Sequence, residues 1–594
     1  MLTTGPRITA LTALACASFL ALDALAATAL VEMPGLTFQG GAQTHFGATH
    51  YGRTEVNYVY AQSTGAAASM TARFQLERVP RSRLFLHLEA MDDDAASPCQ
   101  VRLALNGLVL HEGPSGFPDA RWACHRFAVP ADALRAGTNE LTIVNLEKSG
   151  PLGAPPWFMV ARAALAGSKY TVPTVAIPRL DVRLPGARRA IPEPLRDASA
   201  KPGFAIRGTK GWLWTPEQYL EEIPTLADLK LNFLMNCYGS MFTSEPGTPW
   251  RNEWWLPMTQ SRKEAYARII RSCRDHGITF CFAFHPQLAS PRPLDPTSDS
   301  DLGQFYQHYA WAQSQGVRWF SVSLDDVSWG SEGPATGGMR HARLVNALFG
   351  RLRAQDSEAQ MIFCPVPYWG DGTNPEHRAY LETLGRDLHP DAYVFWTGDA
   401  VVTPRITRQA AESYKSIVRH RLFLWDNYPV NDASPTLHLG PVSGRDPDLG
   451  EVVDGYMSNP LASQSRINRI PLATCADYAY NPRAYDPRRS IGQAILRLAK
   501  TAAQRRALEE LVETYPGFLV TGGGTGTNPV RGEFGSLLAS EKSPSAASEF
   551  VRRLERLGDR LARAFPGQFP ATEKTVADDL GWMRQQLSAD RERP

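Results

Sequence analysis

Two kinds of hydrophobic pattern divide this chain. From about Ala27 to Ala166, short runs alternate apolar and polar positions: Ala72-Arg-Phe-Gln-Leu, Leu84-Phe-Leu-His-Leu, Val101-Arg-Leu-Ala-Leu and Leu141-Thr-Ile-Val. Turn signals such as Asn106-Gly107 and Gly137-Thr-Asn139 separate them. Period-two alternation with regular turns predicts a β-sandwich over residues 27–167. Residues 168–202 are rich in proline, arginine and alanine and carry no periodicity, so they read as a linker.

A different pattern begins at Gly203. Apolar runs at Phe204–Arg207, Phe233–Asn236, Ile278–Phe284, Trp319–Leu324, Gln360–Cys364, Tyr393–Trp396, Leu422–Trp425 and Gly455–Ser458 predict strands. Amphipathic stretches at Pro216–Leu229, Arg262–His276, Leu302–Gln315, Arg340–Ala354, His377–Leu384 and Ile406–Val418 predict helices between most of them. Thr215 followed by Pro216 is a helix start. Strand and helix in this alternation predict a (β/α)8 barrel over residues 203–489. Residues 490–594 turn helical, with Ile491–Tyr515 and Ala547–Phe565 carrying apolar positions at helical spacing.

The first residues read as an export signal. Arg7 supplies a positive charge, Ile8 to Leu22 is largely apolar, and Ala24-Leu25-Ala26 is a small-x-small cleavage site, which predicts a signal peptide over residues 1–26. The apolar run is short for a bilayer span and Asp23 interrupts it, so no membrane span is expected in the mature protein. Secretion and periplasmic release both fit.

Composition narrows the function classes. The chain has 594 residues, 43% hydrophobic and 21% charged, with a net charge of +2. So balanced a charge gives no support to nucleic-acid binding. Of eight cysteines, Cys16 leaves with the signal. The rest show no paired CxxC spacing, so neither a zinc site nor any other metal or cofactor is expected. Cys99 and Cys124 are a candidate disulfide, while Cys237, Cys281 and Cys364 sit in apolar runs and read as buried thiols. Asp92-Asp93-Asp94 reads as a solvated loop rather than a calcium site. Oligomeric state is not legible.

The candidate chemistry lies at the carboxyl ends of the barrel strands, where this fold gathers its functional groups. Those ends read Arg207-Gly208, Asn236-Cys237-Tyr238, His285, Asp325-Asp326, Tyr368, Trp396-Thr397-Gly398, Trp425-Asp426-Asn427 and Ser458-Asn459-Pro460. Asp325 and Asp326 are the most informative. They close an apolar run, Trp319-Phe-Ser-Val-Ser-Leu324, where a charged pair is costly unless used. Adjacent carboxylates do not ionise independently, and one protonated with one ionised is the equipment of acid-catalysed glycoside cleavage. The surrounding indoles and phenols suit pyranose faces, and the amides and carboxylates suit hydroxyls.

Several segments carry a specific likeness: Leu324-Asp-Asp-Val327, Phe363-Cys-Pro-Val-Pro-Tyr368-Trp, Val394-Phe-Trp-Thr-Gly398 with Val401-Val402, Trp425-Asp-Asn-Tyr-Pro-Val-Asn-Asp432, Leu439-Gly-Pro441 with Gly444-Arg445, and Ser458-Asn-Pro460. In matching order over Gly203 to Arg489, they resemble the catalytic domain of glycoside hydrolase family 84, the retaining β-N-acetylglucosaminidases that include O-GlcNAcases and hyaluronidase-like enzymes. The resemblance implies substrate-assisted catalysis, in which the 2-acetamido oxygen attacks the anomeric carbon to form an oxazoline. Asp325 would polarise the acetamide N–H, and Asp326 would protonate the leaving oxygen and then activate water. Tyr368 and Asn427 would support the acetamide, Trp425 would wall the pocket, Asp432 and Asn459 would hold hydroxyls, and the backbone of Gly208 would meet the sugar; Trp396 reads as either a sugar contact or core packing. The implied partner is a glycan or glycoconjugate bearing a 2-acetamido sugar. The N-terminal region, through Arg126 to Asn145, resembles the galactose-binding-like jelly rolls attached to many glycosidases, which bind glycan or pack on the catalytic domain.

Two positions depart from the family pattern. Thr209-Lys210 stands where the family has Phe-Tyr, and Gly239, in Tyr238-Gly239-Ser240, stands where it has a sugar-binding lysine. Lys210 is the candidate to compensate. The family reading leaves His285 a structural part, and Asp426 and Asn431 the fixing of the loop that presents Asn427 and Asp432. Three functions are therefore weighed: an exo-β-N-acetylhexosaminidase, an endo-acting hyaluronidase-like enzyme on amino-sugar polymers, and a glycan-binding protein without turnover.

Overall fold

The structure is a computed structural model. It describes residues 29–43, 56–80, 82–93, 98–118, 122–150, 156–168, 170, 202–241, 251–431, 436–462, 464, 466–521, 528–538 and 544–591. The expected signal peptide, most of the expected linker, Asp94 and Asp432 lie outside the described residues. The chain divides into two compact units: Met1–Ile177 with Val530–Phe550, and Pro178–Pro529 with Val551–Pro594.

The first unit is antiparallel. Its strands are β1 (Ala29–Pro34), β2 (Gln39–Gly40), β3 (Ala42–Gln43), β4 (Asn57–Tyr60), β5 (Ser69–Leu76), β6 (Leu84–Asp92), β7 (Gln100–Leu105), β8 (Leu108–Pro114), β9 (Ala123–Val129), β10 (Gly137–Asn145) and β11 (Trp157–Ala166). One sheet runs β3-β4-β11-β6-β9, with β1 also on β11, and the other runs β2-β5-β10-β7-β8. Leu86, Leu88, Phe158 and Val160 of the first sheet share one apolar core with Ala72, Phe74, Leu103 and Ile143 of the second. The alternation read from the sequence is therefore the inward face of a sandwich.

Two expectations for this unit are corrected. Cys99 and Cys124 are free thiols. Asp92 and Asp93 are buried rather than solvated. The Asp92 carboxylate accepts from the backbone N–H groups of Asp93 and Cys99 and from the Ser115 hydroxyl, and burial pushes its pKa up to about 6. Asp93 accepts from the Trp157 N–H at 2.9 Å. These acids tie backbone donors to the end of the inner strand β6.

The second unit holds the closed parallel barrel β12 (Ile206–Gly211), β13 (Phe233–Asn236), β14 (Thr279–Phe284), β15 (Trp319–Ser323), β16 (Gln360–Cys364), β17 (Tyr393–Trp396), β18 (Arg421–Pro429) and β19 (Val453–Asn459). Around it lie α1 (Pro216–Asp228), α2 (Gln260–Asp275), α3 (Asp299–Ser314), α4 (Pro334–Gln355), α5 (Pro375–Asp387), α6 (Arg408–Val418) and α7 (Arg469–Tyr480). Thr215 opens α1 with a full capping box to Gln218 and Pro216 at its first turn. The barrel floor is aromatic: Phe233 lies 5.8 Å from Trp319 and 5.1 Å from Phe423, and Tyr393 lies 5.3 Å from Trp319. This packed base leaves the opposite, carboxyl-terminal mouth for polar groups.

The first strand lies later than its apolar pattern predicts. Arg207-Gly208-Thr209-Lys210 is polar, yet all four residues are buried, because the ladder partners β13 and β19 enclose them. Lys210, not Gly208, therefore stands at the mouth. A Cβ on Gly208 would come within 1.9 Å of the Phe233 carbonyl oxygen, so glycine here is dictated by strand contact.

Further on, α8 (Pro487–Leu498) and α9 (Ala502–Thr514) replace the one helix expected over Ile491–Tyr515. Thr501 forms a capping box with Gln504 and starts a new helix there. Then follow α10 (Phe518–Thr521), α11 (Pro529–Leu538), α12 (Pro544–Ala564) and α13 (Pro570–Arg591). The stretch around α10 braces the loop after β18. The N–H groups of Leu439 and Gly440 donate to the carbonyls of Tyr515 and Pro516 at 2.9 and 3.0 Å, and Phe518 lies 5.3 Å from the Tyr428 ring.

The Gly208 contact is testable. Gly208→Ala forces β12 away from β13, and thermal unfolding is expected to show a loss of more than about 2 kcal/mol. An unchanged melting temperature would contradict the strand-contact account.

Candidate functional site

The turn after β15 gives two consecutive carboxylates opposite environments. The Leu324 N–H still donates to the Cys364 carbonyl at 2.9 Å, extending the ladder by one residue. Asp326 then adopts a left-handed backbone with φ of 58°, a conformation aspartate tolerates better than most side chains. As a result Asp325 is buried, at 4% exposure, while Asp326 is exposed.

Each carboxylate has its own tyrosine. The Tyr238 hydroxyl, from the segment after β13, donates to Asp325 Oδ2 at 2.5 Å. The Tyr368 hydroxyl, from the loop after β16, donates to Asp326 Oδ1 at 2.9 Å. Both phenols are buried, and their pKa values rise well above the ordinary value, first through burial and then through the nearby carboxylates. Each phenol is therefore a permanent donor. Among the described residues, Asp325 Oδ1 is buried with no hydrogen-bond partner, the His285 Nε2 lying 3.9 Å away. That atom is an acceptor open to a further donor.

His285, at the end of β14, fixes the main chain of Asp325. Its Nδ1 accepts from the N–H groups of Gln287 and Leu288 at 3.2 and 3.0 Å, so the proton sits on Nε2, which donates to the Asp325 carbonyl at 2.8 Å. Burial first, against the raising influence of Asp325, lowers its pKa, and the ring is neutral.

Lys210 enters from β12. Its Nζ lies 4.2, 4.3 and 4.1 Å from the ring centroids of Trp212, Tyr238 and Trp425, and the residue is 1% exposed. An ammonium among three ring faces is held by their quadrupoles. The contact joins Trp425 on β18 to Tyr238 and thus to Asp325. Among the described residues, the buried Trp425 indole N–H has no acceptor.

On the far side of the mouth, β18 and β19 carry amides. The Asn459 side-chain amide donates to Asn427 Oδ1 at 2.9 Å, and the Asn427 amide donates to the Val401 carbonyl at 2.7 Å. Among the described residues, the buried Asn459 Oδ1 has no hydrogen-bond partner. Asp426 faces away from these groups into a buried ion pair: Arg445 Nη2 and Nε donate to its two oxygens at 2.6 and 2.9 Å, with the Tyr456 hydroxyl at 3.0 Å. This pair pins the strand end that presents Asn427. Asn431 bridges the Thr436 carbonyl and the Ala462 N–H at 2.6 and 2.8 Å, so it shapes the same loop.

The structure thus brings Asp325, Asp326, Tyr368, Trp425, Asn427 and Asn459 to the carboxyl-terminal mouth of one barrel. Trp396 lies elsewhere, and Gly208 lies within a strand instead of at its end. Trp396 is fully buried, its indole N–H donating to the Gly370 carbonyl at 3.0 Å, with its ring 5.9 Å from Tyr414. It braces the loop behind Tyr368 instead of facing the mouth. Gly208 lies inside β12, its carbonyl accepting from the Ser458 hydroxyl at 3.3 Å. The partnership of Tyr238 with Asp325 was missed. Its only sequence signal is a phenol at the end of a barrel strand. Among the described residues, no group of three or more His, Cys, Asp or Glu side chains is arranged to hold a metal ion. Nor is any helix among them long and apolar enough to cross a membrane.

Comparisons with known proteins bear on this geometry. A model of the beta-N-acetylglucosaminidase family (NAGidase) matches residues 205–513. The Protein O-GlcNAcase of Rattus norvegicus and that of Mus musculus are each 26% identical over 285 residues, which is 46% of this chain. The match spans 29% of the length of those curated relatives. Among solved structures, a mutant O-GlcNAc hydrolase of Thermobaculum terrenum superposes with a TM-score of 0.52 at 22% identity, covering 66% of this chain and 83% of that one. The protein CpGH84B does so with a TM-score of 0.50 at 20% identity, covering 73% and 70%. At such identities the two structures establish the fold. The family model spans the barrel and its mouth residues, and the chain belongs to the beta-N-acetylglucosaminidase family.

Proposed function

We propose that this protein is a retaining β-N-acetylhexosaminidase that removes terminal β-linked N-acetylglucosamine or a related 2-acetamido sugar from a glycan or glycoconjugate. The observation that carries the reading is the unequal environment of Asp325 and Asp326. An exposed carboxyl group exchanges protons with solvent and reaches a leaving oxygen. A buried carboxylate with one open oxygen is suited to accept a substrate N–H.

The steps follow from these roles. Asp325 Oδ1 accepts the acetamide N–H and raises the electron density on the acetamide oxygen. That oxygen attacks the anomeric carbon as the glycosidic bond breaks, and Asp326 gives its proton to the departing oxygen. The product of this step is an oxazoline, the amide proton having passed to Asp325 Oδ1, which returns it to nitrogen when the ring opens. Asp326, now ionised, takes a proton from water, which opens the ring and restores the acetamide with retained configuration. Tyr368 holds Asp326 in place, and Asn427 with Asn459 lines the sugar side, where Asn459 Oδ1 is open to a hydroxyl. Asp432 extends this hydroxyl recognition. The arginine-led apolar start and its small-x-small site support export to the periplasm or outside.

Two assays test the reading. The wild type is expected to turn over an aryl 2-acetamido-2-deoxy-β-glucoside or its galacto form, and no turnover of either would reject the function. Product sizing on an amino-sugar polymer separates trimming, which yields monosaccharide, from internal cleavage, which yields oligosaccharides. Asp326→Asn, chosen because asparagine keeps the left-handed backbone, is expected to lower kcat by about 10²–10⁴-fold on a poor leaving group and much less on a dinitrophenyl one. Asp325→Asn is expected to lose about 10²–10³-fold on both, because acetamide attack accompanies the departure of either leaving group. The same leaving-group dependence for both variants would contradict the division of labour.

A further inference from the structure

The bond between Tyr238 and Asp325 implies a function for a residue outside the acetamide and acid machinery. Asp325 needs one oxygen free and aimed at the substrate. A carboxylate left to itself rotates about its terminal torsion and offers either oxygen. In this barrel the rotation is stopped. Oδ2 receives the Tyr238 hydroxyl at 2.5 Å, and the main-chain carbonyl receives His285 Nε2 at 2.8 Å. Among the described residues, only Oδ1 is left without a hydrogen bond.

Tyr238 is itself held on three sides. The Lys210 ammonium lies 4.3 Å from its ring centroid, with Trp212 and His285 ring-edge contacts at 6.4 and 5.3 Å. Behind it, the buried Tyr219 of α1 locks the ends of β12 and β13 together. Its hydroxyl donates to the Gly211 carbonyl at 2.7 Å and accepts the Cys237 N–H at 2.9 Å. Lys210 and Tyr238 each adjoin one of those two anchored residues in the chain. The ammonium and the phenol are therefore set against one another by the fold. A cation over the ring face draws electron density from the phenol and makes its hydroxyl a stronger donor to Asp325.

We propose that Tyr238 is a positioning residue for Asp325, with Lys210 as its polarising support, so that this pair selects Oδ1 as the acceptor offered to the substrate amide. The inference rests on the hexosaminidase reading above and adds to it a tyrosine and a lysine delivered from the first two strands. It also assigns Lys210 a place within the wall between Trp425 and Tyr238, in contact with the catalytic carboxylate's support.

The test uses the full chain and aryl 2-acetamido glycosides with a good and a poor leaving group. Tyr238→Phe removes one oxygen and keeps the ring beneath Lys210. It is expected to lower kcat about 10- to 100-fold, the value of a hydrogen bond to a charged group expressed as a rate. The loss should be equal on the two leaving groups, with KM and melting temperature near wild type, since only acetamide activation is impaired. A purely structural role would instead lower the melting temperature and leave kcat per folded molecule unchanged. Lys210→Met keeps the stem and removes the charge. It is expected to lower kcat several-fold in the same leaving-group-independent manner, and it decides the matter if Tyr238→Phe does not fold. Wild-type kcat in the folded Tyr238→Phe protein would overturn the proposal, as would wild-type kcat in Lys210→Met when that is the variant that folds. A wild type inactive on every 2-acetamido glycoside would remove the hexosaminidase reading and this inference with it, whereas an active wild type with an indifferent Tyr238→Phe removes the inference alone.

Discussion

A single left-handed residue, Asp326, organises the mouth of this barrel. It lets two carboxylates that are neighbours in sequence occupy different dielectric surroundings. Asp325 stays with the strand and is buried, and Asp326 turns out to solvent. Without that turn the two acids would share one environment. The remainder of the mouth serves to hold this division. Tyr238 and His285 secure the inner acid, Tyr368 secures the outer one, and the Asp426–Arg445 pair fixes the strand end opposite them.

Much of the barrel was legible because its strands obey a simple rule. A parallel strand buried on both faces reads as an apolar run, and Phe233–Asn236, Gln360–Cys364 and Tyr393–Trp396 were found at their observed bounds. The rule failed at β12, where the enclosed residues are polar. There burial is set by neighbours distant in sequence, β13 and β19, and by the aromatic cage around Lys210, none of which leaves a periodic trace. The same failure moved Gly208 from a strand end to a strand interior. Helix breaks depend on caps, and Thr501 with Gln504 divided a stretch whose apolar spacing is continuous.

Site residues were legible to the extent that their chemistry is local. The adjacent acids and the Trp425-Asp-Asn run announce themselves in the chain. Trp396 stays open in the sequence because an indole at a strand end suits a sugar face and a loop brace equally well. Its buried bond to the Gly370 carbonyl decides for the brace. Tyr238 was overlooked for the opposite reason: its meaning lies in a contact 87 residues away. Cys99 and Cys124 show that proximity in sequence does not pair thiols, and Asp92 shows that an acid in a polar stretch can be held inside by backbone donors.

The central claim is that the substrate's own acetamide oxygen is the nucleophile, activated through the open oxygen of Asp325. The most direct measurement follows kcat/KM for aryl glycosides whose N-acetyl group carries none, one, two or three fluorines. Each fluorine weakens the acetamide oxygen as a nucleophile without altering the leaving group. A steep, monotonic fall across the series is the expected result. A flat series would show that another group attacks the anomeric carbon and would contradict the account.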